Sequence, residues 1–365
     1  MAEASIGGLD APLDRAVAAA AKILGASRCP VIAGLGSDIA GAEAAMALAR
    51  RLGGAFDHME GAAALRDLEV MREAGWIVVS PAEARALADL VLLVGPGATG
   101  PFIERLRLDA PPGLAPAHKR RVIRLCPGRE SAPPHLSEAA VETIGTAAED
   151  LPVMLGMLRA RIAGRPLGPL KRQTRLLSGC AEALRAARCG VAVWSAAQLD
   201  ALTIEMLCGL IDELNAKTRF AGLPLPPDDN AAGVIQSAGW LTGFPIRTGF
   251  GRGKPEHDPW RFDAARMVES GEADAALWIS ACSPQAPAWR RRMPLVVLVA
   301  EGARFAAPPD VAFTVGRPGV DHDAVVFDAH RGALAAKPAS APRSAPSVAE
   351  ILERIANALH AEAAC

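Results

Sequence analysis

An acid, an imidazole, a thioether and a second acid follow one another at Asp57, His58, Met59 and Glu60. These residue types can form an acid–base pair or part of a metal site. The run follows a predicted strand, and active-site residues of α/β proteins collect where strands end. Three alanines come directly after Gly61, however, and the seven histidines of the chain form no ligand pair at a usual metal spacing. The run is a candidate site for which the sequence names no reaction.

Two groups of basic residues could bind an anion. The planar guanidinium of arginine suits carboxylates and phosphates, and the second group lies in a long glycine-rich segment with Trp260. A solvated loop or a subunit contact explains these residues equally well, and the sequence leaves that choice open. The first group is Lys119, Arg120, Arg121 and Arg124, and the second is Arg247, Arg252, Lys254 and Arg261.

A glycine pattern that is typical of dinucleotide-binding turns begins at Gly95 and Gly97 and ends at Gly100. The match is weak, because Pro96 stiffens the turn and no acid follows about 20 residues later, where a ribose would be bound. A plain strand-to-helix turn is the alternative. A nucleotide-binding enzyme therefore remains one hypothesis, and it predicts that NAD or a nucleotide raises the thermal stability of the protein.

The elements that must position these residues repeat the order apolar strand, glycine-rich turn, helix. Examples are "PVIAGLGSDIAGAEAAMALARRLGG" and "LVLLVGPGATG". Continuous apolar strands that alternate with helices predict an α/β fold whose parallel sheets are covered on both faces. Residues 222–263 and 333–347 interrupt this rhythm and are predicted to be an irregular functional loop and a linker. Ser347 and Glu350 predict a capped C-terminal helix.

The length and composition of the chain exclude several classes of function. The chain has 365 residues, which is long enough for two subdomains, and its net charge of -1 predicts no general affinity for nucleic acid or membranes. Its seven cysteines are scattered, with no CxxC pair for zinc or an iron–sulfur cluster. The sequence contains no secretory signal and no apolar run of about 18 residues, so we expect a cytoplasmic protein.

The order of motifs resembles the catalytic B-type subunit of formylmethanofuran dehydrogenases, in the molybdopterin oxidoreductase group. The resemblance covers about residues 20–300 and includes the strand "DAALWIS". Its most specific part is the pattern N-x-x-G-x-x-x-x-x-G-W-x-T-G-F-P. Here that pattern is formed by Asn230, Gly233, Gly239, Trp240, Thr242, Gly243, Phe244 and Pro245.

Two departures from this family determine the expected function. The chain starts almost directly at the first strand–helix unit, so we expect the iron–sulfur segment of the redox enzymes to be missing. By comparison with the family, the position of the metal-binding cysteine or selenocysteine falls at or near Ala63, whose side chain has no donor atom. We therefore expect no redox-active cofactor. A B-type subunit without metal is typical of the formyltransferase/hydrolase complex of methylotrophic bacteria.

The resemblance implies a noncatalytic structural subunit in the tetrahydromethanopterin-linked one-carbon pathway of formaldehyde oxidation. The implied partners are a formyltransferase, an amidohydrolase-like hydrolase and a third, C-type subunit, which together move a formyl group to methylofuran and hydrolyse it to formate. The alternative is an oxidoreductase subunit that binds molybdopterin, with a metal held by His58, Met59 or Glu60.

Methylofuran carries a tail of glutamate carboxylates, which gives the basic residues a rationale. The hypothesis is that the tail is bound by Arg247, Arg252, Lys254 and Arg261, with Lys119, Arg120, Arg121, Asn230, Gly95 and Gly97 as further contacts.

The family also implies the domain organisation. Residues 1–60 and 168–365 are expected to form one discontinuous α/β lobe that ends in the C-terminal helix. Residues 61–167 are expected to form a second Rossmann-like lobe inserted into the first. In this arrangement Gly34, Gly36, Gly95 and Gly97 would face a cleft at the ends of their strands.

Overall fold

The computed structural model describes residues 3–96, 120–126, 140–167, 171–290, 292–343 and 345–363. The chain divides into two compact units. The first unit consists of Met1–Leu65, Asp228–Phe327 and Leu334–Cys365, and the second of Arg66–Pro227 and Asp328–Ala333.

The strands and helices alternate along most of the described chain. The strands are β1 (Ala4–Ile6), β2 (Leu9–Asp10), β3 (Pro30–Gly36), β4 (Ala55–Phe56), β5 (Leu90–Val94), β6 (Arg121–Cys126), β7 (Ala140–Gly145), β8 (Cys189–Trp194), β9 (Arg219–Pro224), β10 (Thr248–Gly249), β11 (Glu256–His257), β12 (Ala275–Ser280), β13 (Leu295–Val299), β14 (Val311–Thr314), β15 (Ala324–Asp328) and β16 (Ala333–Lys337). The helices are α1 (Leu13–Ala26), α2 (Ile39–Leu52), α3 (Gly61–Ala74), α4 (Pro81–Leu87), α5 (Leu151–Ile162), α6 (Lys171–Ala186), α7 (Ala201–Asn215), α8 (Ala231–Thr242), α9 (Ala264–Ser270) and α10 (Val348–Ala363).

The first unit is built on a nine-stranded sheet of order β11-β10-β4-β3-β12-β13-β14-β1-β2. The central strands β4, β3, β12, β13 and β14 are parallel, and the strands at both edges are antiparallel. Every residue of β3 and β12 is buried, as expected for strands that are covered on both faces. The predicted α/β class with parallel sheets is confirmed here.

The second unit contains a five-stranded parallel sheet of order β7-β6-β5-β8-β9. All of β5 is buried, and valine and leucine side chains from β5, β6 and β8 form one core cluster with Ala84 and Ala88. Because β8 and β9 pair into this sheet, residues 168–227 belong to the second unit. The structure therefore places the second boundary at Pro227, whereas the family resemblance implied one near residue 168.

Two segments that were predicted to be irregular contain regular structure. Residues 222–263 hold α8, β10 and β11, and residues 333–347 begin with β16. The glycines and prolines around α8 hide its helical pattern in the sequence. The predicted cap of the C-terminal helix is confirmed, since the Glu350 N–H donates to Ser347 Oγ (3.2 Å) and the Ser347 N–H donates to the Glu350 carboxylate (2.7 Å).

Candidate functional site

Asp57 follows β4 and is buried. Its carboxylate accepts hydrogen bonds from the His58 N–H (2.8 Å), the Ala264 N–H (3.0 Å) and Arg247 Nε (3.3 Å). Burial raises the pKa of Asp57 to about 7, while the Arg247 guanidinium and the two N–H groups act in the opposite direction. The carboxylate thus joins the end of β4 to the start of α9 and to Arg247, which is a structural role.

His58 is also buried, and both of its ring nitrogens have partners. Nδ1 lies 3.0 Å from the Glu60 N–H and must accept from it, so the proton belongs on Nε2, which lies 3.1 Å from the Asp229 carbonyl oxygen. Burial lowers the pKa of His58 to about 4. The ring is therefore neutral at pH 7, has no lone pair left for a metal, and is poorly suited to carry a proton.

Met59 and Glu60 complete the run that the sequence singled out. A Cβ added to Gly36 would lie 2.9 Å from the Met59 methyl carbon, so Met59 packs closely on the C-terminal end of β3. Glu60 is partly exposed, and burial together with Asp228 and Asp229 raises its pKa. Of the four residues, Glu60 is the one whose environment still allows acid–base chemistry.

Two consecutive residues before α8 adopt left-handed backbone conformations, Asp229 (φ 54°) and Asn230 (φ 61°). The Asn230 side chain donates from Nδ2 to the Ser37 carbonyl oxygen (2.7 Å) and accepts at Oδ1 from the Phe327 N–H (2.8 Å). The structure thus uses both ends of this amide inside the first unit. Asp229 accepts from Ser283 Oγ (2.5 Å) and Gln285 Nε2 (3.0 Å).

The glycine at position 34, within β3, is explained by packing. A Cβ on Gly34, whose φ is +82°, would lie 2.4 Å from the Ile279 carbonyl oxygen. The N-terminus of α2 is capped by Asp38, which accepts from the Gly41 N–H (3.1 Å). A carboxylate of the chain itself therefore occupies the position at which a helix N-terminus would bind a phosphate.

Arg247, the first basic residue of the loop, is turned inward. Its side chain is 14% exposed and its φ is 57°. The guanidinium is 3.3 Å from the Asp57 carboxylate and 2.5 Å from that of Asp263, and it donates to the Pro259 carbonyl oxygen (2.6 Å). Because these groups take up its donors, Arg247 holds the loop against the sheet.

The other three basic residues of the loop face solvent. The side chains of Arg252 (70% exposed) and Arg261 (47% exposed) lie 3.3 and 3.7 Å from the Glu256 carboxylate. Lys254 is exposed and forms no ion pair within the described residues. Phe244 stacks on His257 with ring centroids 6.2 Å apart, which helps to fix the loop. Arg252, Lys254 and Arg261 thus form a cationic group on an ordered loop, which we call the basic loop.

In the second unit, the predicted contacts have structural partners. Gly95 has φ +81°, and a Cβ there would lie 2.6 Å from a Leu199 methyl carbon. Arg120 is buried and donates to the Ala88 (2.8 Å) and Arg85 (2.7 Å) carbonyl oxygens at the C-terminal end of α4. Arg121 is exposed and pairs with Glu142 (2.7 Å). Lys119 and Gly97 lie outside the described residues.

Sequence reasoning missed the acids that organise this region. Asp263 was not singled out, although an aspartate directly before "AARMVES" is a helix N-cap signal, and its side chain does accept from the Arg266 N–H (2.8 Å). Asp229 accepts hydrogen bonds from Ser283 and Gln285, which lie 54 and 56 residues away in the chain. Glu256 forms ion pairs with Arg252 and Arg261 across a short loop. Within the described residues, no group of three or more His, Cys, Asp or Glu could hold a metal ion.

Comparison with known proteins gives a match along almost the whole chain. The B-type subunit of the formyltransferase/hydrolase complex Fhc from Methylorubrum extorquens is 36% identical over 357 residues, which is 96% of each sequence. The chain belongs to the family of these B-type subunits. The resemblance that the motifs predicted is thereby confirmed. No protein-family model matches the chain.

Two further comparisons bear on this family. A chain in the crystal structure of the formyltransferase/hydrolase complex from M. extorquens, determined with methylofuran, matches with a TM-score of 0.89 and 34% identity. The match covers 99% of this chain and 100% of that chain. The B-type subunit of a tungsten-containing formylmethanofuran dehydrogenase from Methanocaldococcus jannaschii is 35% identical over 71 residues, 20% of this chain and 16% of that protein.

The residues of this family member do not fit the metal centre of such a tungsten enzyme. Ala63, at or near which the family resemblance placed the metal ligand, lies in α3, is buried and offers only a methyl group, whereas tungsten favours soft sulfur or selenium donors. His58 has no free ring nitrogen, and the Asp57 carboxylate accepts three hydrogen bonds. In the described part of the chain, no helix is long and apolar enough to cross a membrane.

Proposed function

We propose that the protein is the noncatalytic structural B-type subunit of a formyltransferase/hydrolase complex in one-carbon metabolism. The observation that carries this proposal is the match to the M. extorquens protein over 96% of both sequences. The proposed partners are a formyltransferase, an amidohydrolase-like hydrolase and a C-type subunit. The internal hydrogen bonds of Asp57 and His58 support a structural role, because the polar atoms of both side chains are already bonded to the chain itself and are not available to a substrate.

Glu60 provides a direct test of the noncatalytic role. Its partial exposure together with its raised pKa makes it the strongest acid–base candidate in the run, because the Asp57 carboxylate is buried and accepts three hydrogen bonds. We expect Glu60→Gln to leave the formyl transfer and hydrolysis rates of the assembled complex within about twofold of wild type, since loss of a general acid or base lowers a rate by about 10²–10⁴-fold. Steady-state kinetics on complexes of verified composition make the comparison. A hundredfold loss of kcat would identify this subunit as part of an active site.

The basic loop is proposed to bind the carboxylates of the methylofuran tail. Arg252, Lys254 and Arg261 are exposed cations against the acids Glu256 and Asp258, so the loop keeps a net positive charge for an anionic chain. The crystallised relative contains methylofuran in its complex, which supplies the ligand class. Arg247, Arg120 and Asn230 are assigned structural parts, since their polar groups bond to the chain itself.

The tail proposal predicts a loss of coenzyme on neutralising the loop. We expect the complex carrying Arg252→Ala, Lys254→Ala and Arg261→Ala to retain less methylofuran, with a release that increases with salt because exposed charges are screened. Mass spectrometry of coenzyme per purified complex measures this.

The matched control replaces Lys22, Arg28 and Arg304 by alanine, which are exposed cations elsewhere in the first unit. Because the control removes the same charge, it separates a local site from a general electrostatic effect. Equal coenzyme retention by both triple variants would refute tail binding at the loop.

A further inference from the structure

A groove on the first unit lies apart from the acids discussed above. Its floor is the exposed face of α2, its walls are α10 and the C-terminal end of α8, and its volume is about 860 Å³. Ala40, Ala44 and Ala47 share that face of α2 because they are three or four residues apart. Leu241, which is 53% exposed, supplies apolar surface on the wall formed by α8. A floor of small side chains lets another backbone approach closely.

The groove has the length and form of a helix-binding site. A Cβ on Gly41 would lie 2.9 Å from Val348, and Arg51 Nη1 donates to the Ala356 carbonyl oxygen (2.6 Å), so α2 and α10 run side by side in the same direction. Their shared surface from Ala40 to Arg51 rises about 16 Å, which corresponds to about three turns of helix. A concave surface of this length accepts a convex helix.

The charges along the groove are ordered from one end to the other. Glu43 lines the half nearer the start of α2, Arg50 lines the other half, and Glu353 lies on the α10 wall between Val348, which is next to Gly41, and Ala356, which is next to Arg51. All three are exposed, and none of them is ion-paired with another described residue. Arg51 and His360, at the same end as Arg50, hydrogen-bond to each other. The groove therefore selects a ligand with a basic group at one end and an acidic group at the other.

We propose that this groove binds an amphipathic helix of another subunit of the complex. The helix places small apolar side chains on the alanines of α2, a Lys or Arg toward Glu43 and Glu353, and an Asp or Glu toward Arg50. This inference rests on the proposed function. A second copy of this chain fits less well, because its own alanines lie between raised walls.

The test uses the whole complex, co-expressed and purified through a tag on this chain. We expect Ala47→Arg to lower the amount of captured partner subunit at least tenfold, because a long charged side chain fills the floor. The matched control is Ala18→Arg, which changes an exposed alanine of α1 outside the groove. Thermal unfolding of the two isolated variants should be alike. Full capture of the partners by Ala47→Arg would overturn the proposal.

Two further measurements keep the proposal testable if Ala47→Arg fails to fold. Arg50→Glu and Glu43→Lys are exposed changes that we expect to weaken capture threefold or more, with a larger effect at low salt. The photo-crosslinker p-benzoylphenylalanine at position 47 should label a helical peptide of a different subunit. Labelling of a second copy of this chain would overturn the proposal.

The failure of this inference can be told from the failure of the proposed function. If the wild-type chain captures neither a formyltransferase nor a hydrolase, both are wrong. If the wild type captures them and the groove variants do so equally well, only the groove inference is wrong.

Discussion

At the scale of residues, His58 shows how the fold uses a reactive side chain. An imidazole with a pKa lowered to about 4 by burial carries no charge near neutrality, and its Nε2–H bond to the Asp229 carbonyl oxygen fixes one tautomer. The residue thereby connects β4 to the turn that precedes α8. The same burial that excludes it from proton transfer makes it sensitive to acid.

This sensitivity gives a prediction. The unfolded chain takes up a proton on His58 near its ordinary pKa, whereas the folded chain does so near pH 4, so acidification favours unfolding within this range. Between pH 7 and pH 5, we expect wild type to lose about 2 kcal/mol of unfolding free energy relative to His58→Gln. Urea denaturation of both proteins at each pH measures the difference.

Asp57 titrates in the opposite direction and is common to both proteins. Its folded pKa is raised to about 7, so the stability that it contributes is present in acid and is lost as the pH rises toward 7. The unfolding free energy of wild type should therefore change less with pH than it would if only His58 or only Asp57 titrated. A pH-independent difference between wild type and His58→Gln would mean that His58 is not buried as a neutral ring.

The structural role of Arg247 could not be inferred from its residue type and its neighbours in the sequence. An arginine in a glycine-rich loop is a reasonable anion-binding candidate, but the acid Asp57 that faces it lies 190 residues away in sequence. Long-range partners of this kind cannot be inferred from spacing. The exposed residues Arg252, Lys254 and Arg261 remain candidates for binding because Arg252 and Arg261 share one carboxylate, Glu256, and so keep part of their positive charge.

At the scale of elements, the turn before α8 depends on one amide. Asn230 adopts a left-handed conformation and hydrogen-bonds with both ends of its side chain, to segments near β3 and β15. Asparagine tolerates this conformation better than most residues, and its side chain bonds to both backbone groups. The start of α8 is therefore held by an N-cap residue whose carbonyl oxygen accepts from the Val234 N–H (3.0 Å), while its side chain bonds only outside the helix.

This arrangement predicts different effects for two substitutions. Asn230→Ala loses two hydrogen bonds and adds left-handed strain, which should lower the unfolding free energy by about 2–4 kcal/mol. Asn230→Gly loses the same bonds without that strain, so its unfolding free energy should be about 1 kcal/mol higher than that of Asn230→Ala. Denaturant titration distinguishes the two. Equal destabilisation would show that the hydrogen bonds account for the whole effect.

The elements were predictable to different degrees. Apolar runs such as "PVIAGLG" and "LVLLV" predict buried parallel strands because both faces of such a strand must be apolar. The helix α8 was missed because prolines, two aspartates and glycines surround "AAGVIQSAGWLT". Its boundaries are set by left-handed residues at both ends, Asn230 and Gly243, whose conformations depend on tertiary contacts.

At the scale of the whole molecule, each unit is an α/β layer structure, and strands β8 and β9 belong with β5 in the second unit. The strand and helix pattern alone suggests two consecutive domains, and the family resemblance implies a discontinuous division whose second boundary, near residue 168, is earlier than the one in the structure at Pro227. The reason is that a parallel strand does not identify its sheet: β8 and β12 are both short, apolar and followed by turn residues. Sheet membership is decided by pairing that the sequence pattern does not contain.

The central claim is that this subunit supports a formyl-transfer complex without a redox centre of its own. The most direct measurement is native mass spectrometry, combined with metal and pterin analysis, on the assembly purified through a tag on this chain. We predict a formyltransferase and a hydrolase in stoichiometric amounts, and tungsten, molybdenum and pterin well below one per chain. A chain that purifies without these partners and carries stoichiometric tungsten or molybdenum with a pterin would contradict this claim.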